Sequence, residues 1–186
     1  MMIDLETVSL GEDAGIVWIG AVEFWHGEEG IAKLERGWGF EPHFNQMVNI
    51  DSNLRAGRRL DGRTLKWWHQ YPDLWEQVVN VPDSPEHDLR RVLNDFRAWL
   101  PKPCYVWSNG ANFDLRLLTH CYTKTLKQNV PWRYKDERDT RTVWALTGRD
   151  EPARPIPHHP TWDAWAQAVA VQRAWRKLGI VGDAGA

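Results

Sequence analysis

The feature that most constrains this chain is a pair of acids, Asp4 and Glu6, set in the short apolar run that opens it. Successive side chains of a β-strand point to opposite faces of the sheet, so residues two positions apart share a face. Asp4 and Glu6 can therefore share one cation without any distortion of the backbone. The opening run predicts a first strand that carries a pair of metal-binding carboxylates.

Two segments further along the chain add acids to this pair. Asn112-Phe113-Asp114 stands in the middle, and His158 is followed five positions later by Asp163. With 14 Asp and 11 Glu in 186 residues, about 0.8 Asp-x-Glu triplets and about 0.5 such His/Asp pairs are expected by chance. Each pattern is weak alone, but their order along the chain indicates a scattered metal-binding carboxylate site.

Length and composition predict one globular domain over residues 1–186, with 42% apolar and 26% charged residues. No apolar run approaches the roughly 18 residues that span a bilayer, and no basic segment with an apolar signal core opens the chain. We therefore expect no membrane partner and a cytoplasmic location. Cys104 and Cys121 fit a reducing compartment and are predicted to lie in the core.

The net charge of −2 argues against a generally basic surface for binding nucleic acid. It does not exclude a local site, because divalent ions held by acids reverse the local sign and attract phosphate. The 13 Trp are the compositional oddity. Most are expected to fill the core, and a few to stack on bases.

The apolar pattern predicts an α/β fold. Strands are expected over residues 2–5 and 16–25, which form a hairpin, and over 104–107 and 132–134. Residues 34–50, which contain Pro42, predict an interrupted third strand at a sheet edge.

Helices are predicted between and after these strands, each opening on a capping residue or a proline. Their predicted starts are Thr64, Pro72, Ser84, Asn112, Asp139 and Thr161. Residues 152–160 contain four prolines and are expected to form a loop. The last helix is predicted to end near Gly179. One of its faces is nearly all small, which allows close approach to a sheet: Asp163, Ala166, Gln167, Ala170 and Ala174.

These motifs resemble the DEDDh group of 3′-5′ exonucleases, which adopt an RNase H-like fold, and the resemblance covers almost the whole chain. The segments that carry it are Asp4-x-Glu6, Asn109 to Asp114, and His158 to Asp163. Residues 2–7, 64–68 and 138–142 look like the bacteriophage and bacterial exonuclease VIII-type branch, which also includes an exoribonuclease group. The resemblance implies a central mixed five-stranded β-sheet flanked by α-helices.

The resemblance also implies roles for five residues. Asp4, Glu6, Asp114 and Asp163 would bind two Mg²⁺ or Mn²⁺ ions, and His158 would be the general base. Carboxylates suit these cations because both prefer hard oxygen donors. The implied partner is RNA or DNA with a free 3′ end, hydrolysed to nucleoside 5′-monophosphates, and a homodimer is compatible with the family.

Several alternatives stay open from the sequence. His159 adjoins His158 and competes for the role of base, and Pro160 stands where the family commonly has a small residue. Only three residues precede Asp4, so a start further upstream is also open. The function has two alternatives, a catalytically inactive nucleic-acid-binding or assembly domain with the same fold and a related endonuclease.

Surface residues near the first helix are further candidates for substrate contact. Trp67 and Trp68 are candidates to stack on terminal bases, or else to pack in the core. Four nearby arginines are candidates to guide the phosphate backbone: Arg55, Arg58, Arg59 and Arg63. Arg138 and Asp139 are expected to form a structural or substrate-orienting pair.

Overall fold

A five-stranded mixed sheet forms the centre of the protein. The computed structural model describes residues 1–27, 43–110 and 112–180. The strands are β1 (Met2–Thr7), β2 (Ile16–Val22), β3 (His43–Met47), β4 (Val106–Ser108) and β5 (Glu137–Asp139). Their order across the sheet is β3-β2-β1-β4-β5. Strands β1, β2 and β3 pair antiparallel, whereas β4 runs parallel to both β1 and β5. The expected α/β class with a mixed five-stranded sheet is confirmed and is consistent with an RNase H-like fold.

Helices flank this sheet. They are α1 (Ile50–Arg55), α2 (Gly62–Trp68), α3 (Pro72–Val79), α4 (Leu89–Trp99), α5 (Asp114–His120), α6 (Thr140–Thr147) and α7 (Pro160–Lys177). A π-helix, Cys121–Leu126, continues α5, and 3-10 turns lie at Pro85–His87 and Tyr134–Asp136. Among the described residues, no helix combines the length and apolar character that crossing a membrane requires.

The alternation of β1 divides the core into two layers. Ile3 and Leu5 pack into a cluster with residues of α4 and α5, including Phe96 and Leu115. Met2 faces the opposite way, into a cluster with residues of α7. Asp4 and Glu6 share the face of Met2 by the same period of two. Both acids therefore point toward the side of the sheet that α7 covers.

Helix α7 lies unusually close to the sheet, and Gly20 of β2 makes this possible. A Cβ atom at Gly20 would overlap the backbone of Pro160 and Thr161 and lie 2.8 Å from the Pro160 Cβ. Gly20 is paired across the sheet with Asp4. The small face predicted for α7 is buried along its whole length, from Asp163 to Ala174. The first turn of α7 is thus pressed against the centre of the β1–β2 hairpin.

Two predicted helix starts were wrong in detail. Asp61, not Thr64, caps α2 by accepting hydrogen bonds from the backbone N–H groups of Arg63 and Thr64. Asp88, not Ser84, caps α4 through the Arg90 N–H, after a separate 3-10 turn. In each case an aspartate close to the predicted cap supplies a better acceptor for the free N–H groups.

Three other predicted elements also shift. Residues 34–42 lie outside the described residues, so the third strand is seen only over His43–Met47. The last strand is Glu137–Asp139 rather than 132–134. Helix α5 begins at Asp114, with Phe113 in the capping position and no side-chain cap, so Asn112 does not cap it. Of the two cysteines, both free, Cys121 is buried and Cys104 is partly exposed.

Candidate active site

Strand β1 extends beyond its neighbour β4, and this leaves a backbone group for an acid to bind. The residue pair joining the two strands is Met2 with Trp107. Further along β1 the Leu5 N–H donates instead to Asp114 Oδ1, at 3.1 Å. Asp114 is 4% exposed and opens α5, just after β4 ends. The loop after β4 therefore places the Asp114 carboxylate against β1 at Leu5, the residue between Asp4 and Glu6.

Asp4 is held from the other side by α7. Gln167 Nε2 donates to Asp4 Oδ1 at 2.8 Å, and Gln167 is 2% exposed. Because Gln167 follows Asp163 by four positions, the two side chains share one face of α7. One helix face thus both binds Asp4 and adds its own carboxylate to the site.

Glu6, His158 and Asp163 form a compact group. Each offers one potential ligand atom, and these atoms all lie within 4.8 Å of one another. Glu6 and Asp163 are buried, whereas His158 is partly exposed. This group could hold a metal ion, because two carboxylate oxygens and an imidazole nitrogen lie close together.

All four carboxylates have raised pKa values. Burial is the main cause for all four, since it disfavours the charged form. Asp114 and Asp163 add to the rise at Asp4, and all three other acids add to the rise at Glu6. The pKa of Asp114 is raised to about 7 and that of Asp163 to about 6. The cluster therefore concentrates negative charge that a proton or a cation must offset.

One arginine faces this cluster from the proline-rich loop. Arg154 Nε lies 3.1 Å from Asp163 Oδ1, and its NH2 group donates to Glu151 Oε2 at 2.6 Å. Its positive charge opposes the rise in pKa at Asp4, Glu6 and Asp163. Arg154 therefore offsets part of the negative charge of the site.

The two neighbouring histidines have different surroundings. His158 has a φ of 61°, a left-handed conformation that non-glycine residues seldom adopt. Its ring lies 4.8 Å from that of Trp67 and 4.4 Å from that of Tyr71. The His159 ring instead lies 4.5 Å from that of Trp18. Of the two, it is the His158 ring that approaches Glu6 and Asp163.

Pro160 fits the start of α7 without disturbing this arrangement. It occupies the first turn of the helix, where a missing N–H leaves no hydrogen bond unmade. His159 before it has the extended conformation that a following proline favours. Burial lowers the pKa of His158, and the charge of Arg154 lowers it further.

A cavity of about 350 Å³ opens beside Glu6. Its walls include the aromatic rings of Trp67 and Phe113 and the charged side chain of Arg63. Trp68, in contrast, is fully buried and donates to the Thr7 carbonyl at 2.9 Å. Of the two predicted stacking residues, Trp67 thus lines the cavity, whereas Trp68 packs in the core.

The other predicted arginines are engaged with protein groups. Arg55 pairs with Asp83 and Arg59 with Asp13, while Arg58 is 3% exposed and donates to the Ala14 carbonyl. These contacts leave Arg63 as the member of that set that lines the cavity.

Arg138 and Asp139 have separate structural contacts. Arg138 lies over the Tyr105 ring, 4.2 Å from its centroid, and Asp139 caps α6 through the Arg141 N–H.

The contacts that hold the acids in place were not predicted from the sequence. Gln167 had a readable signal, because it lies one helical turn after Asp163. Arg154 and Glu151 had none, since they lie in an irregular loop whose path no periodicity predicts.

Comparison with known proteins identifies the family. No curated protein sequence matched the chain. Residues 1–175 match the family described as the 3′-5′ exoribonuclease Rv2179c-like domain. That range includes the five described strands, all but the last two residues of α7 and the five predicted site residues. Because the match extends over nearly the whole sequence, the chain belongs to the Rv2179c-like 3′-5′ exoribonuclease domain family.

Proposed function

We propose that this protein is a metal-dependent 3′-5′ exonuclease of the DEDDh type. It hydrolyses phosphodiester bonds of RNA or DNA from a free 3′ end and releases nucleoside 5′-monophosphates. One observation carries the proposal, the convergence of three buried acids, a partly buried fourth acid, Asp4, and a histidine on β1 and the elements beside it. These residues are Asp4, Glu6, Asp114, Asp163 and His158.

The donor set fits Mg²⁺ or Mn²⁺. Both cations prefer carboxylate oxygens, and the cluster supplies four carboxylates without a cysteine. Asp163 Oδ1 is buried without a hydrogen-bond partner among the described residues, and a cation that bound it would replace its ion pair with Arg154 Nε. When bound, two such ions would activate a water molecule and stabilise charge on the phosphorane and on the leaving oxygen.

His158 is proposed as the general base that accepts the proton of the attacking water at an imidazole nitrogen. Its pKa lies below the ordinary 6.5, so the ring is neutral and able to accept a proton at neutral pH. The rings of Trp67 and Tyr71 restrict its orientation. Proximity to Glu6 and Asp163 supports this role.

The cavity beside Glu6 is proposed to receive the terminal nucleotide. Its volume of about 350 Å³ is in the range of small-ligand sites. Trp67 and Phe113 would stack on the base, and Arg63 would contact a phosphate. Cleavage next to a bound chain end releases one nucleotide at a time.

Three finer points complete the proposal. Residues 1–186 form one domain, which the family match over 1–175 supports. A cytoplasmic location agrees with two free cysteines. A homodimer is proposed from the family resemblance and is tested by light scattering of the purified protein.

Cleavage of labelled oligonucleotides tests the activity. RNA and DNA strands labelled at the 5′ end are incubated with the protein in Mg²⁺, Mn²⁺ or chelator. Asp4→Asn removes one charge of the cluster, and Glu76→Gln removes one exposed charge from α3 as the matched control. We expect a ladder that shortens stepwise from the 3′ end in Mg²⁺ or Mn²⁺, unchanged in Glu76→Gln and lost in Asp4→Asn.

Other outcomes assign the protein differently. Internal fragments would make it an endonuclease. Binding without cleavage under all metal conditions would make it an inactive nucleic-acid-binding domain. Unchanged cleavage by Asp4→Asn would remove Asp4 from the reaction.

A further inference from the structure

Arg154 stands at the junction between the carboxylate cluster and the loop that carries His158. Its guanidinium contacts two acids at once, Asp163 of the cluster and Glu151 of its own loop. Arg149 also contacts Glu151, at 2.7 Å, and lies over the Trp144 ring. The loop is therefore anchored through Arg149 on one side and reaches the cluster through Arg154 on the other.

The two contacts of Arg154 differ in quality. The Glu151 contact is a hydrogen bond of 2.6 Å, whereas Asp163 Oδ1 is 3.1 Å from Nε and makes no hydrogen bond. Asp163 is 6% exposed, so a partner of opposite charge is needed there. Arg154 thus offsets the charge of Asp163 without a hydrogen bond to it, whereas Glu151 holds Arg154 by a short hydrogen bond.

We propose that Arg154 serves two anions in turn. With no cation in the site, Arg154 neutralises Asp163. Once a divalent cation binds Asp163, Arg154 contacts a non-bridging oxygen of the scissile phosphate. This inference rests on the proposed function. Glu151 retains the guanidinium in both states, so the charge moves a short distance without leaving the site.

The chemistry of the guanidinium suits both positions. It presents several N–H donors in one plane, so it can keep its bond to Glu151 while another N–H changes partner. A cation at Asp163 would repel Arg154 and leave one of its donors free. Phosphate oxygens accept charge-assisted hydrogen bonds from arginine, and the phosphate must approach the same carboxylates to react.

Two substitutions at neighbouring arginines separate this role from a structural one. Arg154→Gln removes the charge at Asp163, and Arg149→Gln removes an equal charge from the same partner, Glu151, without the Asp163 contact. Mn²⁺ binding to each full-length protein is measured by the loss of the free-ion electron paramagnetic resonance signal. Thermal unfolding shows whether each variant is folded. Arg154→Lys, a second variant at this position, keeps the positive charge.

We expect Arg154→Gln to bind Mn²⁺ about fivefold more tightly than wild type, as for the loss of one competing, partly exposed ion pair. Arg149→Gln and Arg154→Lys should stay within about twofold. Cleavage of the labelled RNA at saturating Mn²⁺ should fall about tenfold or more in Arg154→Gln, because the phosphate loses a charged donor.

Each alternative result overturns the inference in a distinct way. Unchanged or weaker Mn²⁺ binding by Arg154→Gln, in a wild type that binds and cleaves, refutes competition at Asp163. Tighter binding with unchanged cleavage refutes the phosphate contact. A wild type that neither binds Mn²⁺ nor cleaves overturns the proposed function itself.

Discussion

Replacing Asp114 with asparagine should stabilise the metal-free protein at neutral and higher pH. Burial raises the pKa of Asp114 from its ordinary 3.8 to about 7. A group with a raised carboxyl pKa favours folding while it is protonated, and this contribution is lost as pH rises from about 4 to about 7. Above that window the folded protein must hold the carboxylate ionised in a buried, negatively charged site. An asparagine of nearly the same shape carries no such charge.

The size of the effect follows from the two pKa values. The difference between 3.8 and about 7 corresponds to about 4 kcal/mol. The hydrogen bond that Asp114 accepts from the Leu5 N–H is weaker when an amide oxygen replaces a carboxylate, by about 1 kcal/mol. The net gain for Asp114→Asn is therefore about 3 kcal/mol at pH 8, or a rise in Tm of about 6 to 12 °C for a chain of this size.

Thermal unfolding followed by circular dichroism, in chelator, tests this expectation across pH 4.5 to 8.5. The difference between variant and wild type should be small at pH 4.5, grow through pH 7 and then level off. Glu76→Gln, which removes an exposed acid, should show no such growth. Added Mg²⁺ should narrow the difference, because a cation offsets the charge in wild type. An Asp114→Asn variant less stable than wild type at pH 8, or a difference in Tm between the two proteins that does not change with pH, would refute the reasoning.

Three further changes test other parts of the site. Gly20→Ala should destabilise the fold by about 1–3 kcal/mol and abolish most cleavage, because its Cβ would overlap the start of α7. Gly62→Ala, where a Cβ meets no atom within 4 Å, should neither destabilise the fold nor reduce cleavage. His158→Ala should lower kcat by about 10²–10⁴-fold, whereas His159→Ala should stay within about tenfold; in wild type, kcat should fall at acid pH with a midpoint below 6.5, because protonation removes the base. Trp67→Ala should raise KM for oligonucleotides with a small change in Tm. An unchanged KM would show that Trp67 does not stack on the terminal base.

The part of the site that obeys a simple periodicity could be predicted from the sequence. Alternation along a strand places Asp4 and Glu6 on one face, and helical spacing predicts the buried small face of α7. Both periods follow from backbone geometry alone, so they do not depend on how the elements pack together. Asp114 was a candidate from the order of the acids along the chain and took its role from the resemblance to nucleases, whereas its position depends on where β4 ends and α5 begins.

The last strand shows why other elements could not be predicted. Residues 137–139 are Glu-Arg-Asp, which carries no apolar signal, yet they pair with β4 as a short strand at the sheet edge. The apolar side chain of Trp132 favoured a strand over 132–134. In the structure Trp132 packs against Tyr122 and donates to Glu137 Oε1 at 2.9 Å. The ring is buried, but the residues around it do not form a strand of the sheet.

The packing of α7 and the charge of the site are two consequences of one arrangement. The close approach permitted by Gly20 brings Asp163 onto the face of β1 that carries Asp4 and Glu6, and the same helix supplies Gln167 to bind Asp4. Closer packing buries the acids more deeply, which raises their pKa values and makes the metal-free fold less stable at neutral pH. A cation that binds the carboxylates offsets their charge and restores the lost stability. The helix contact that lowers stability without metal would therefore increase the affinity of the site for the cation. A variant that loosens α7 should therefore lose cation affinity along with the pH dependence of its unfolding.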